Sequence, residues 1–124
     1  MSYPLFNDTI TLYRKYRVNG AEIYTRYVIS GVQWRQRIVR EAGADGHAAL
    51  QTVTSVTIPD EGLDRIEFPG PMQGDVLVLG KGPAITDAYS ISDLRHDHAT
   101  YCTIKAIADN TLRPLLRHWR IEAA

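Results

Sequence analysis

Alternating hydrophobic and polar positions dominate the first part of the chain. The stretches DTITLYRKY and AEIYTRYVIS are rich in β-branched and aromatic residues, and Asn19-Gly20 lies between them. Asn-Gly is a strong signal for a tight β-turn because both residues tolerate positive φ. The pattern predicts a β-hairpin in which residues 9–17 pair with residues 22–30.

The next stretch, VQWRQRIVR, also alternates. Strict alternation predicts a strand with one basic face, and a helix is the competing interpretation. Gly31, just before this stretch, is interpreted as a bulge or bend. One predicted face holds Val32, Trp34, Gln36 and Ile38, and the other holds Gln33, Arg35, Arg37 and Val39.

Further strands follow at short intervals. Residues 49–58 are dense in β-branched side chains and predict a strand that ends at Pro59. Segment 41–48 is small and polar, and segment 59–74 is rich in proline and glycine, so both are predicted loops. A loop as long as the second is usually functional or mobile.

The stretch GDVLVLGKGPAIT, residues 74–86, reads as another hairpin. Its short apolar run is followed by a Gly-Lys-Gly-Pro turn and a return strand that begins at 84–86. A polar connection, DAYSISDLRHDHAT, leads to strands at 100–108 and near the end of the chain. About seven or eight short antiparallel strands predict an all-β fold, a small barrel or sandwich with one long loop, in a single domain over 1–124.

Composition sets limits on the class of protein. The 124 residues are 44% hydrophobic and 23% charged, which is ordinary for a globular domain. No run approaches the roughly 18 apolar residues of a membrane helix, and the N-terminus lacks the layout of a signal peptide. The single cysteine, Cys102, cannot form an intramolecular disulfide, so we expect a cytoplasmic origin.

Charge is unevenly distributed although the formal net charge is zero. Residues 1–40 carry a balance of +5, residues 41–100 of −7, and residues 101–124 of +2. Internal pairing or plain solvation is the first explanation. A bipolar surface, which favours head-to-tail association of identical copies, is the second.

Candidate catalytic chemistry is sparse. The stretch RHDH places His96 and His98 on one face if it is a strand, but a zinc site needs further ligands, and a polar loop is the preferred interpretation. A Ser-His-Asp triad could be composed of Ser90 or Ser92 with His96 and Asp97. The sequence lacks the Gly-x-Ser-x-Gly motif of a nucleophile elbow, which argues against such a triad. Cys102 falls in the apolar phase of its strand, which indicates an inert core thiol. The GKGP turn lacks the spacing of a phosphate-binding loop. We therefore expect no enzyme activity, no cofactor and no metal, and a metal-dependent enzyme that uses His96 and His98 stays as an alternative.

Aromatic residues alternate with cations in YRKYR and WRQRIVR, which is a pattern of nucleic-acid-binding surfaces. The acidic middle of the chain and a pI near 6.9 oppose phosphate binding. A solvated strand face or a protein interface is the preferred interpretation. A small nucleic-acid-binding β-barrel stays as an alternative of another class.

Three parts of the chain resemble small proteins encoded among the head-morphogenesis genes of tailed phages and prophages. They are DTITLYRKY with the following YTRYVISGVQW, the central GDVLVLG with AIT and ISDL, and the ending TYCTIKAIADNTLRPLLRHWRIEA. The group is similar to head-completion, or stopper, proteins, and the resemblance covers most of the chain. It implies a small β-barrel that docks as a ring beneath the portal and closes the exit channel after DNA packaging.

That resemblance implies a non-enzymatic virion protein assembled in the host cytoplasm. Its expected partners are the portal protein, tail-side neck proteins and further copies of itself, with passing contact to packaged DNA and no contact with membrane. A tail-completion or tail-tube component is the alternative. The residues expected at the ring or partner interface are Arg14, Lys15, Arg17, Trp34, Arg35, Arg37 and Arg40. Loops 41–48 and 59–74 are both candidates for the channel loop, and the resemblance does not fix which of them gates the channel. Their candidate residues are Gly43, Asp45, His47, Asp60, Glu61 and Asp64.

Overall fold

The structure, a computed structural model, describes residues 7–42, 46, 48–59, 68–111 and 117–124. Its elements are the strands β1 (Asp8–Val18), β2 (Ala21–Ala42), β3 (Ala48–Pro59), β4 (Val76–Leu79), β5 (Cys102–Asp109) and β6 (His118–Ala123), and the helix α1 (Ile91–Asp97) between β4 and β5. All strand pairs are antiparallel, and the order β1-β2-β3-β6-β5-β4 closes on itself as a barrel. The predicted all-β class is confirmed.

The first hairpin forms as its turn sequence predicts. β1 pairs with β2 from Val18↔Ala21 back to Asp8↔Val32. Asn19 and Gly20 have φ values of 51° and 78°, which suit a tight turn between strands.

β2 continues without interruption where the sequence suggested two strands. Its first half pairs with β1 and its second half with β3, from Gln33↔Thr57 to Ala42↔Ala48. The register with β1 skips Gly31, which has a φ of 78°, so this glycine is the predicted bulge at which β2 passes from one sheet to the other. The strand interpretation of residues 32–40 is confirmed against the helix.

The predicted hairpin over 74–86 is wrong. β4 pairs with β1 and β5, and residues 81–86 form no strand. The described residues contain six strands, because the return strand is missing and β2 is one strand where two were predicted. The prediction of short strands is also wrong for β2, which has 22 residues.

Two apolar clusters hold these elements together. The first fills the barrel with inward-facing residues from each strand, including Leu12, Val56 and Ile121. The second lies outside the barrel wall, where Tyr13, Val76 and Val78 pack against Leu94 of α1. Fully burying side chains of this size stabilises the fold by about 1.5–3 kcal/mol each, before chain entropy is subtracted.

The connection before β5, predicted as a polar loop, contains α1. Ser90 and Asp93 form a capping box, with the Ser90 hydroxyl accepting from the Asp93 N–H at 3.2 Å and the Asp93 carboxylate accepting from the Ser90 N–H at 3.0 Å. This S-x-x-D pattern is the signal that a periodicity search misses, because a seven-residue helix with one buried residue, Leu94, has too few turns to repeat.

Among the described residues, no helix has the length and apolar character required to cross a membrane.

Candidate functional site

A hairpin that we call the first arm, residues 14–25, extends past the part of β1 that pairs with β4. β4 pairs only with Ile10–Tyr13 of β1, so the rest of that strand has β2 alone as its neighbour. The side facing the barrel interior continues outward from Leu12. On it, Tyr16, Val18 and Ile23 are 41%, 48% and 49% exposed. These three side chains therefore leave apolar area exposed on the inner face of the first arm.

The base of the first arm is fixed by a buried ion pair. Arg14 Nη2 lies 2.9 Å from Asp75 Oδ2, with both side chains less than a tenth exposed. Arg14 also donates to the Gly70 carbonyl, and Asp75 accepts from the Met72 N–H at 2.9 Å. Burial acts to lower the pKa of Arg14, but its hydrogen bond to Asp75 and the charge of Asp75 outweigh burial and raise that pKa above its ordinary value.

A second hairpin, which we call the second arm, consists of residues 35–42 of β2 and 48–53 of β3. β6 pairs with β3 only from Thr54 to Pro59, so the second arm also lies beyond the barrel. Its inner face continues the barrel interior past Trp34 and carries Ile38 and Leu50, which are 70% and 69% exposed. They are diagonal neighbours on that face, close enough to form one apolar patch.

The arginines of the second arm divide between its two faces. Arg35 and Arg37 lie on the outer face, where Arg37 forms an exposed 3.5 Å contact with Glu122. Arg40 lies opposite Leu50 and therefore on the inner face. The alternation that predicted one basic face is confirmed for residues 32–39, and it separates Arg40 from the other two.

The predicted interface residues do not form one surface. Lys15 and Arg17 lie on the first arm, within 3.6 Å of Glu22, and Arg35, Arg37 and Arg40 lie on the second. The prediction for Arg14 needs correction, because this buried guanidinium is engaged by Asp75 and Gly70. Trp34 is half-buried against the barrel core, and Asp8 accepts from its N–H at 2.9 Å, so it supports the base of the arm.

The predicted channel-loop residues, Gly43, Asp45, His47, Asp60, Glu61 and Asp64, lie outside the described residues. Their assignment stays a prediction.

The RHDH stretch lies at the end of α1 and not on a strand. His96 is exposed, with Nδ1 3.1 Å from Asp97 Oδ1, and His98 is the C-cap. Hydrogen bonds from His96 and then from Tyr89 lower the pKa of the Asp97 carboxyl. The described residues contain no group of three or more His, Cys, Asp or Glu side chains placed to hold a metal ion.

Two further chemical candidates have structural roles. Cys102 is 4% exposed, and burial raises the pKa of its thiol to about 11, so thiolate is scarce near neutral pH. In the GKGP turn, the Gly82 N–H donates to Thr11 Oγ1 at 2.8 Å, while Tyr13 donates to the Pro83 carbonyl at 2.7 Å. The turn is therefore hydrogen-bonded to β1, and the Gly82 N–H is not available to an anion.

A groove runs beneath the inner face of the second arm. One part, about 330 Å³, lies between Gln36, Thr52 and Thr54 of the arm and the segment from Ala99 to Cys102. An adjoining part, about 460 Å³, shares Ala99, Tyr101 and Ala124 with it and is lined also by Arg95, His98 and Lys105. We call the two together the arm groove.

The alternating pattern of the sequence predicts the strands of the second arm, but it does not predict that the inner face of this arm is exposed. Alternation through Ile38 indicates a strand, yet it does not reveal that β6 ends before reaching this residue. The exposed patch of Ile38 and Leu50 was therefore missed, because alternation alone does not show whether a strand face is covered.

Comparison with known proteins gives one match. A family model described as a family of unknown function (DUF6751) matches residues 5–124. No curated protein and no solved structure matches the chain. The match thus extends over the barrel, both arms and α1, without assigning an activity to any of them.

Proposed function

We propose that this chain, which belongs to the DUF6751 family, is a non-enzymatic structural subunit of the head–tail connector of a tailed phage or prophage. In this proposal it is a head-completion, or stopper, protein that forms a ring beneath the portal. The proposal combines the sequence resemblance with the shape of the barrel and its two arms.

The observation that carries the proposal is the pair of arms, each of which carries exposed apolar side chains on its inner face. Tyr16, Val18 and Ile23 on one arm, and Ile38 and Leu50 on the other, stand in solvent on surfaces continuous with the barrel core. Exposed apolar patches and free strand edges favour association, and proteins that remain monomeric usually avoid them. Surfaces of this kind are suited to burial against neighbouring subunits.

The chemistry of the described residues also favours a structural role. The only cysteine is buried with a raised pKa, and the Ser90 hydroxyl is engaged in capping α1. The His96–Asp97 contact is exposed on α1 and does not lie in a cleft. An enzyme would concentrate perturbed groups in a recess, and here they are dispersed.

Deleting the gene from a phage or prophage that encodes this chain tests the proposal. Mass spectrometry of purified wild-type particles should detect the chain, and electron microscopy of the deletion should show tail-less heads that have lost DNA. Tail-less heads that keep their DNA would instead favour a tail-completion role. Normal infectious particles without the chain would refute a place in the virion.

A second candidate, nucleic-acid binding, is favoured by one observation. Arg35 and Arg37 share the outer face of their sheet with Arg120 of β6, and all three are exposed. Each phosphate contact contributes about −0.9 to the slope of log K against log salt, so three contacts predict a slope of about −2.7.

Filter binding of duplex DNA at several salt concentrations checks this candidate. Arg35→Glu with Arg37→Glu should reduce the slope to about −0.9 or closer to zero if both contact phosphate. Lys81→Glu, an exposed cation away from this face, is the control. Binding without salt dependence, or equal loss in the control, would contradict the candidate.

A further inference from the structure

We infer that the second arm binds an extended segment of a partner protein, rich in alternating acidic and apolar residues, which adds as a strand to the open edge of β3. The added strand continues the line of β6 and lies along the arm groove. This inference goes beyond the proposed function and does not depend on it.

The edge of β3 over residues 48–53 is open to such a strand. β6 pairs with β3 from Thr54 to Pro59, and β2 is the one described strand that pairs with residues 48–53. Alternate residues of this segment therefore direct their backbone N–H and C=O groups away from β2, where a strand from another chain can pair with them.

This edge also lacks the charged side chains that discourage strand addition. Its sequence, AALQTV, contains no charged residue and no proline. Each of the other three arm strands, over 14–18, 21–25 and 35–42, carries at least one charged residue. Among the arm strands, the β3 edge is therefore the one best suited to pairing with another chain.

The arm groove lies where a continuation of β6 passes. Ala124, the residue after β6, exchanges main-chain hydrogen bonds with Thr103 at 2.9 and 3.0 Å, and it lines both parts of the groove. Thr52, in the narrower part, lies on the inner face of β3, whereas Thr103, in the wider part, alternates with core residues of β5 and faces outward. Successive side chains of an extended strand point to opposite faces, so the two parts are placed to receive alternate side chains of one strand.

The wider part of the groove favours carboxylates. Arg95, His98 and Lys105 line it, and no aspartate or glutamate occurs among the described residues that line either part. No ion pair joins Arg95 or Lys105 to another of the described residues. Opposite charges accelerate association and fix its register, so acidic side chains on the outer face of the added strand match this lining.

The inner face favours apolar side chains. Ile38 and Leu50 are exposed there and form one patch beside the open edge. An apolar residue on the inner face of the added strand covers this patch, and burial of apolar area makes the contact persist. The fitting ligand therefore alternates between acidic and apolar residues.

The charges of the arms argue against a second copy as the ligand. The strands of each arm carry three cations and one glutamate, so both arms are net basic. An arm of another copy would bring like charge to Arg95 and Lys105. The occupant is therefore a different protein with an acidic, extended segment.

Peptide binding to the full chain tests this chemistry. The probe is a blocked octapeptide of alternating valine and glutamate. One control peptide has the same composition in two blocks, and the other alternates valine with lysine. We expect the probe to bind at least about tenfold more tightly than either control, which corresponds to about 1.4 kcal/mol. Equal affinities for the three peptides would overturn the inference.

Charge reversal locates the carboxylates of the bound peptide. Arg95 and Lys105 are exposed, and Arg95→Glu with Lys105→Glu should make the valine–lysine peptide the tighter ligand. Lys81→Glu, which changes an exposed cation in the GKGP turn, should leave the original order unchanged. An unchanged order in the double variant, or the same reversal in the control, would overturn the inference.

Amide hydrogen exchange, followed by NMR on the full chain, locates the added strand and distinguishes other occupants. The probe should slow exchange at least about tenfold at those amides of residues 48–53 that do not pair with β2. Amides on the opposite edge of the second arm, in residues 35–42, should be unaffected. Slow exchange at 48–53 without peptide would overturn the inference. At every protein concentration it would show that the chain covers its own edge, and only at high concentration, that a second copy does.

Discussion

Replacing Gly82 by Ala tests how the GKGP turn is fastened to β1. A Cβ on Gly82 would lie closer than 3.0 Å to the Tyr13 hydroxyl and 3.1 Å from Val78 Cγ2. The hydroxyl would have to move, and with it the 2.7 Å hydrogen bond to the Pro83 carbonyl. Gly82 does not have a positive φ, so backbone strain is not the cause.

The magnitude follows from these contacts. Overpacking costs about 1–3 kcal/mol, the lost hydrogen bond adds about 1, and the lower entropy of the unfolded alanine chain returns about 0.5. Gly82→Ala should therefore destabilise by about 1.5–3.5 kcal/mol. Tyr13→Phe removes the clashing oxygen in advance, so the double variant should be more stable than the sum of the single effects by about 1–2 kcal/mol.

Urea unfolding of the four proteins, followed by tryptophan fluorescence and circular dichroism, measures this coupling. Gly74→Ala is the matched control, because that glycine has a φ of 93° and no atom near its missing Cβ. Its cost comes from the backbone and should be unchanged by Tyr13→Phe. A coupling below about 0.5 kcal/mol at Gly82 would refute the steric argument.

Three further outcomes follow from burial and exposure. Asp75→Ala should cost about 3–5 kcal/mol in urea unfolding because it leaves Arg14 charged and buried, and a loss below about 1 would contradict the assigned ion pair. Stability should fall at alkaline pH: burial raises the thiol pKa of Cys102 from 9.0 to about 11, so its contribution is complete below pH 9 and is lost as the pH rises towards 11. Cys102→Ala should flatten that part of the stability–pH profile, and an unchanged profile would refute the assignment. Ile38→Ser and Leu50→Ser should change the unfolding free energy by less than about 0.5 kcal/mol, since both side chains are exposed, and a larger loss would show that they pack within the monomer.

The sequence predicted those elements whose cause is local. Asn19-Gly20 defines the first turn by its backbone preference, and alternation identifies the strands on either side. Gly31 is recognisable as a bulge because it interrupts an otherwise continuous pattern. Each of these features depends on a few adjacent residues, so it can be predicted from a single sequence.

Features that depend on distant partners were not predictable in this way. The turn at 80–83 is fastened to Thr11 and Tyr13 of β1, which removes the need for a return strand. Arg14 resembles its exposed neighbours in sequence, and only the arrival of Asp75 accounts for its burial. The exposure of Ile38 depends on where β6 ends. Each outcome is decided by contacts made across sixty or more residues.

One strand, β2, forms one side of both arms and passes through the barrel wall between them. Its 22 residues would span about 70 Å if straight, and Gly31 lies near the middle. The two arms therefore share one continuous strand, which has a bulge at Gly31 near its centre. Because no loop separates them, the position of each arm relative to the other is set by the backbone of β2 where it crosses the barrel wall.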